Sequence, residues 1–507
     1  MRKFIFAIFI PIFIYAEGIS FSGRLNLDFI SRPQRRDTVN PSNTFRAGIS
    51  GGLNFYGISA GLSLFFNSDD KFTPNATSFY SLTPTWSWGR LYIGDFAPGF
   101  SSLTLSGISI RGGGLELFPG IFNLFVVSGE AKLQTDDSTT YSRYIWGAKL
   151  GLGKNTGTSI TVINSKDISA TLPDSMKGSP HSNWVGEVEQ KLSMFKGAFS
   201  LKLSGALSLI TRNVNATPVD NEKLPDWAVE SFKINSSSSV DYSYGVESRL
   251  RLRKIALNFS HFYIGPGYES YGLSGINNDK IEDRGGFNLS FGRYGSMGAN
   301  FSLSKDNLIN LKEESTTSRL VNAFVSLIPS PKLVLMASGM VSMIEREGDS
   351  ISTDTKSQSV NSGVNFRLTK KLTAGLNVSY AKTDVDVSVD SVSSRVMNYG
   401  VKLNHRIGRV VSYSIGMSYM ITSSDTLSAN FLSPSANFQV AGKRIKANLG
   451  IRAGISDVRN MIGINFRTVF KITPHDALIF RVNSENFSDT TPSSLTLKAS
   501  YSRSWKK

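Results

Sequence analysis

Residues 240–263 show most plainly the pattern that repeats through this chain. Tyr242, Tyr244, Val246, Leu250 and Leu252 fall on one side of an extended segment, and Asp241, Ser243, Glu247, Arg249, Arg251 and Arg253 fall on the other. Arg253-Lys254 makes a turn, after which Ile255, Leu257 and Phe259 alternate with Ala256, Asn258 and Ser260. Alternation with a period of two marks a β-strand with two unlike faces.

The same unit recurs along the chain. It spans 44–66 with a turn at Tyr56-Gly57, 105–127 with a turn at Pro119-Gly120, 141–164 with a turn near 154–157, and 183–210 with a turn at Lys196-Gly197. It continues over 285–304 (Tyr294-Gly295), 319–344 (Pro329 to Pro331), 359–381 (Lys370-Lys371), 395–421 (Gly408-Arg409), 430–454 (Gly442-Lys443) and 460–483 (Pro474 to Asp476). The least regular member is 79–96, with its turn expected at Gly89-Arg90. Gly, Pro and adjacent basic residues are the expected punctuation of such turns. Single alternating segments, 19–29 and 494–505, open and close the series. Longer polar stretches separate the hairpins, as at 31–43, 165–182, 213–239 and 345–356.

Twelve hairpins and two single strands predict about 26 strands, within a range of about 22–28. Short turns at one end and long loops at the other, an even strand count, and segments near the ~9–11 residues needed for a tilted crossing predict an all-β, antiparallel, up-and-down transmembrane barrel. A soluble sandwich or solenoid would point its apolar faces into a shared core; the hairpin asymmetry and the start of the chain favour the membrane.

That start reads as a cleaved signal peptide over 1–16, leaving 17–507 as one barrel domain. Arg2 and Lys3 precede an apolar run from Phe4 to Tyr15, broken by Pro11, and Ala16 is a small residue at the cleavage point. The run is too short to span a bilayer as a helix. Mean hydropathy is −0.10, far below that of a helical membrane protein, whereas 33 Phe, 17 Tyr and 6 Trp exclude a disordered chain. With no cysteine, thiolate metal sites and a lipoprotein anchor are excluded.

In these features the chain resembles the Gram-negative outer-membrane β-barrels, porin-like in the broad sense, over its whole mature length. The most specific resemblance lies in the final strand, where Leu495, Leu497, Ala499, Tyr501, Arg503 and Trp505 alternate with polar residues. Members of that class end on such a strand with an aromatic residue, read by the barrel assembly machinery; here Lys506 and Lys507 follow the aromatic. The resemblance implies location in the outer membrane and contact with membrane lipid and lipopolysaccharide.

Little in the sequence points to catalysis or to a cofactor, and the expectation is neither, nor a nucleic-acid partner. The four histidines, His181, His261, His405 and His475, are scattered without metal-ligand spacing. The stretch ending Gly153-Lys154-Asn155 departs from a phosphate loop at Ala148 and Asn155, so a hairpin turn is the better reading. Gly112-Gly113-Gly114 suggests a bulge or a close backbone approach. Strands begin within a few residues of Ala16, which argues against a plugged receptor.

Charge supplies the remaining signal. There are 55 Lys+Arg against 39 Asp+Glu, a formal net charge of +16. A charge facing lipid at mid-depth costs ~2–4 kcal/mol, which assigns charged strand positions to the lumen. The expected pore-lining residues are Arg24, Arg111, Lys202, Arg249, Arg251, Arg367, Lys402, Arg444, Lys446, Arg452, Arg467 and Arg481, with fewer acids: Asp28, Glu116, Glu187, Glu189 and Glu247. A basic lumen favours small anionic solutes. The functional expectation is a passive or weakly selective channel for small polar or anionic solutes; a structural or secretion-related barrel is the alternative.

One long interruption carries helical signals. Within 213–239, Pro225 and Asp226 suit a helix start, and Leu224, Trp227, Ala228 and Phe232 share a stripe. The segment is expected either to cap the barrel externally or to narrow the pore, with Asp226, Trp227 and Glu230 as constriction residues.

Overall fold

A computed structural model describes residues 19–34, 43–68, 78–131, 141–168, 179–219, 225–275, 278–348, 351–388, 390–425, 428–456, 460–487 and 494–506. The expected signal peptide lies outside them.

The strands are β1 (Ile19–Gln34), β2 (Asn43–Phe55), β3 (Ile58–Asn67), β4 (Phe79–Trp86), β5 (Gly89–Phe96), β6 (Ile110–Leu117) and β7 (Phe122–Ala131). Then follow β8 (Arg143–Leu152), β9 (Gly157–Asp167), β10 (Ser182–Met194), β11 (Phe199–Thr211), β12 (Ser238–Arg251), β13 (Ile255–Ile264), β14 (Lys280–Ser290) and β15 (Gly295–Asp306). The series continues with β16 (Glu314–Ser330), β17 (Leu333–Gly348), β18 (Ser352–Arg367), β19 (Leu372–Val387), β20 (Asp390–Ile407) and β21 (Val411–Ser424). It ends with β22 (Ser428–Ala441), β23 (Ile445–Ser456), β24 (Met461–Lys471), β25 (Asp476–Phe487) and β26 (Ser494–Lys506). One short helix, α1 (Asp226–Phe232), lies between β11 and β12.

Each strand pairs antiparallel with its neighbour in sequence, and β1 also pairs with β26, making one closed 26-stranded sheet. Closure leaves every ladder hydrogen bond paired and no sheet edge, which is what a chain in hydrocarbon requires. The Tyr56-Gly57 turn takes φ of 44° and 84°, the left-handed pair that lets a two-residue hairpin follow the twist of its strands.

The outer face is apolar along the strands. Leu257 is 42% and Leu376 56% exposed, with Val401, Ile415, Ile451 and Ile464 equally bare. Their chain neighbours Asn258 and Asn377 point to the other side. The strand count and most turns match the alternation in the sequence. Three places differ. The β4–β5 turn falls at Ser87-Trp88 rather than Gly89-Arg90. The stretch 345–356 is mostly strand, because β16 to β20 run 16 to 18 residues and rise beyond the apolar belt. The hairpin read over 105–127 begins only at Ile110, because Leu105 belongs to a segment folded inside the barrel.

Candidate functional site

The lumen is built from two unlike halves. On β6 to β9, toward the long-loop end, the inward face carries an apolar cluster: Ile110, Phe125, Val127, Ala131, Ile145 and Ile163 are all buried. A water-filled bore would leave them wet. They are covered by the β5–β6 connection, 97–109, which turns into the barrel and lays Phe100 and Leu105 on them. Phe100 packs on Phe125 at 4.9 Å, and Tyr92 on Phe96 at 5.1 Å. Burying a side chain of this size stabilises by ~1.5–3 kcal/mol. The backbone makes room: a Cβ on Gly147 would lie 3.0 Å from the Phe100 ring. Gly94, Gly112 and Gly129 stand side by side on β5, β6 and β7, and a Cβ on Gly112 would sit 2.1 Å from the Ser128 carbonyl oxygen. The triple glycine is thus a close backbone approach.

A second connection, between β13 and β14, folds in beside the first over residues 265–275. Ser106 bridges to Leu273. The Tyr268 hydroxyl donates to the Leu103 carbonyl at 2.7 Å and Ser270 donates to that of Thr104 at 2.5 Å. Burial raises the Tyr268 phenol well above its ordinary value, so it remains a donor. The wall holds the same segment: Asn183 Nδ2 donates to the Glu269 carbonyl at 3.0 Å, and its Oδ1 accepts from the Tyr271 N–H at 3.1 Å. Arg143 lies 3.6 Å from the Tyr271 ring centre while pairing with Asp167 at 2.8 Å. Burial and the nearby Glu269 push the Tyr271 phenol up to about 12.

Below these loops the wall becomes ionic. Glu187 is buried; its Oε2 accepts from Thr104 at 3.3 Å, whereas Oε1 has no partner among the described residues. Lys149 donates to the Phe100 carbonyl at 2.8 Å. Glu189 is approached by Lys191 at 2.8 Å, Lys202 at 3.4 Å and Lys149 at 3.7 Å, and Lys202 also meets Glu247 at 2.8 Å. The network anchors the inner loop to the wall and balances most of its own charge.

The opposite half, β18 to β1, has no such cover among the described residues. Its inward face is rich in Ser, Asn and Gly, with cations set among them. Arg467 stands directly across from Arg481, and Arg481 from Lys498, so three cations occupy one row over β24, β25 and β26. Asp28 neutralises Lys498 at 2.8 Å, and Glu485 pairs with Arg452. Arg24, Arg367, Lys402, Lys446, Arg467 and Arg481 have no ion-pair partner among the described residues.

Strand alternation sets these cations on the face opposite the exposed apolar side chains. Lys202, Arg249, Arg251 and Arg452 join those just named, and Arg444 sits in the β22–β23 turn. Arg111 is a correction. It shares its face with Leu115, and its guanidinium binds Asp95 at 2.8 and 3.0 Å and lies 5.0 Å from the Tyr80 ring centre, on the outside near the long-loop rim. The apolar neighbour Ile110 is buried under the inner loop, so apolar here means inward. The helical segment takes the external of its two expected positions. Phe232 of α1 packs edge-on against Trp184 at 5.0 Å. Trp184 alternates with inward Val185 and shares the outer face with Val188, so α1 caps the rim from outside. Glu230 is exposed; the side chains of Asp226 and Trp227 lie outside the described ones.

The closed sheet, its apolar outside, its polar and charged inside and its short-turn end decide the class. The chain folds as a closed β-barrel of the membrane-spanning kind. No family model matches it, and no curated protein matches it. Among solved structures it is similar to the siderophore receptor PirA from Pseudomonas aeruginosa, at 10% identity and a TM-score of 0.43, covering 96% of this chain and 80% of that one. The copper transporter OprC matches at 9% identity and 0.43, covering 96% and 81%. OccAB4 of Acinetobacter baumannii matches at 10% identity and 0.31, covering 97% and 99%.

Proposed function

We propose that the barrel is a passive, weakly selective channel for small polar and anionic solutes. The observation that carries this reading is the pairing of two in-folded loops with a bare basic wall. Loops 97–109 and 265–275 pack on the side of β6 to β13, and no described segment covers the wall of β18 to β1. That wall presents amides, hydroxyls and the cations of Arg24, Lys402, Arg467 and Arg481, which have no ion-pair partner among the described residues. A set of like charges around a wet passage raises the local concentration of the opposite ion without binding it tightly. The 26 strands favour a second reading, passage of a polymer, since diffusion porins have ~16–18.

Reconstitution into liposomes tests the reading. Swelling in small neutral sugars and in organic anions is expected, with anions entering faster than cations of equal size. A correctly folded barrel that admits no small solute would refute it. Entry of long-chain solutes as readily as small ones would transfer support to the polymer reading.

A further inference from the structure

We infer that the short-turn mouth of the barrel carries a binding cleft for a small multivalent anion. At the feet of β18 to β22 a cleft of about 300 Å³ opens between neighbouring hairpins. Arg367, Lys370, Lys371 and Arg406 line it, and Asn404 and Asn437 are among its neutral polar groups. No carboxylate belongs to its lining. None of the four cations has an ion-pair partner among the described residues. The arrangement is held in place by the backbone, because the Arg406 N–H donates to the Lys371 carbonyl at 2.8 Å.

Basic turns alone would be unremarkable, since turns are solvated. Four cations converging on one concave site are different, because their mutual repulsion is relieved by an anion with two or more charged oxygens groups. Arginine forks match carboxylate or phosphate oxygens, lysines add point charge, and the amides can bind hydroxyls or remaining oxygens. The volume corresponds to roughly ten waters at ~30 Å³ each, the size of a small organic or inorganic polyanion.

The surroundings reinforce the choice. The neighbouring turns add Arg293, Lys332, Arg409, Lys443, Arg444 and Lys471, with Asp476 as an acid in the β24–β25 hairpin. At the opposite end the hairpins carry Asp279, Glu313, Glu345, Glu347, Asp354 and Asp386 beside Lys280, Lys312, Arg346 and Lys382, so acids lead there. The potential therefore draws anions to the cleft from the short-turn side, the periplasmic side in this class of barrel. The inference deepens the anion-channel reading by naming where an anion is held.

Calorimetric titration of the full-length barrel in detergent tests it, with citrate and inorganic pyrophosphate as probes and acetate as the monovalent control. Saturable one-to-one binding that weakens steeply with salt is expected for at least one polyanion and not for acetate. Response to citrate alone assigns a polycarboxylate, and to pyrophosphate alone a phosphate ester. The double variant R367Q/R406Q should lower affinity by about ten-fold or more, the loss expected for charge-assisted contacts. K443Q/K471Q, on neighbouring turns, should lower it much less. Heat-modifiable migration of each variant in SDS certifies the fold. Absence of saturable binding, or equal loss in the two variants, would overturn the cleft. The titration does not require conduction: an anion-selective channel with no such binding refutes the cleft alone, and binding in a channel without anion preference refutes only the channel reading.

Discussion

Removing the inner loops is expected to enlarge the ion current of single channels. Replacing 97–109 and 265–279 with short Gly-Ser links takes away the groups that fill the lumen beside β6 to β13. Phe100, Leu103, Leu105 and Tyr268 would no longer cover that wall. The variant should lose stability as well, since Phe125, Val127, Ile145 and Ile163 would face water, at ~1.5–3 kcal/mol for each large side chain. Ile145→Thr and Ile163→Thr in the same background should recover part of that loss. By contrast, deleting 213–239 should leave conductance unchanged, because α1 packs on Trp184 from outside. Equal conductance of native and loop-excised barrels, both correctly assembled, would mean that the loops do not limit the path.

The second large effect concerns the outer face. Leu257→Arg and Leu376→Arg each place a charge on the exposed apolar surface, at ~2–4 kcal/mol near mid-depth. Folding yield into bilayers should fall sharply and urea midpoints should drop. Asn258→Arg and Asn377→Arg should be tolerated, since both asparagines face the bore. Asn258 lies across from Arg249 and Asn377 across from Gly400. Because a slip of one residue exchanges the two faces of a strand, equal damage on both faces would mean that the register is wrong.

Much of this fold is legible in the sequence because the barrel is made of local signals. Alternation gives each strand its faces, and Gly, Pro and basic pairs give the short turns. Tyr242, Tyr244 and Val246 against Glu247 and Arg249 suffice to orient β12. The inner loops were not legible in that way, since nothing local says whether a loop turns outward or inward. A signal was nevertheless present. In Phe125-Val126-Val127, Tyr144-Ile145-Trp146, Val162-Ile163 and Trp184-Val185 the alternation fails, and both faces are apolar. A strand buried on both faces reads as a continuous apolar run. In a barrel, such a run means that something covers the inner wall.

Arg111 shows the cost of missing that signal. The charge rule alone turns Arg111 inward, whereas its neighbour Ile110 takes the inner face and packs beneath Phe100 and Leu105. The helix at Asp226–Phe232 was legible from Pro225 and the apolar stripe. Its destination was not, because Trp184 offers it an aromatic partner on the outer rim that lies far away in sequence. Similarly, Lys149, Lys191, Arg406 and Lys498 join the charged lining only through the pairing of strands.

The proposed conduction path runs along the basic wall of β18 to β1. The reversal potential of the purified barrel in a planar bilayer, under a tenfold gradient of potassium chloride, tests it most directly. The wall cations predict a potential displaced toward the chloride equilibrium value, and a smaller displacement when Arg467 and Arg481 are replaced by Gln. A potential at zero or displaced toward potassium, or one indifferent to those replacements, would contradict it.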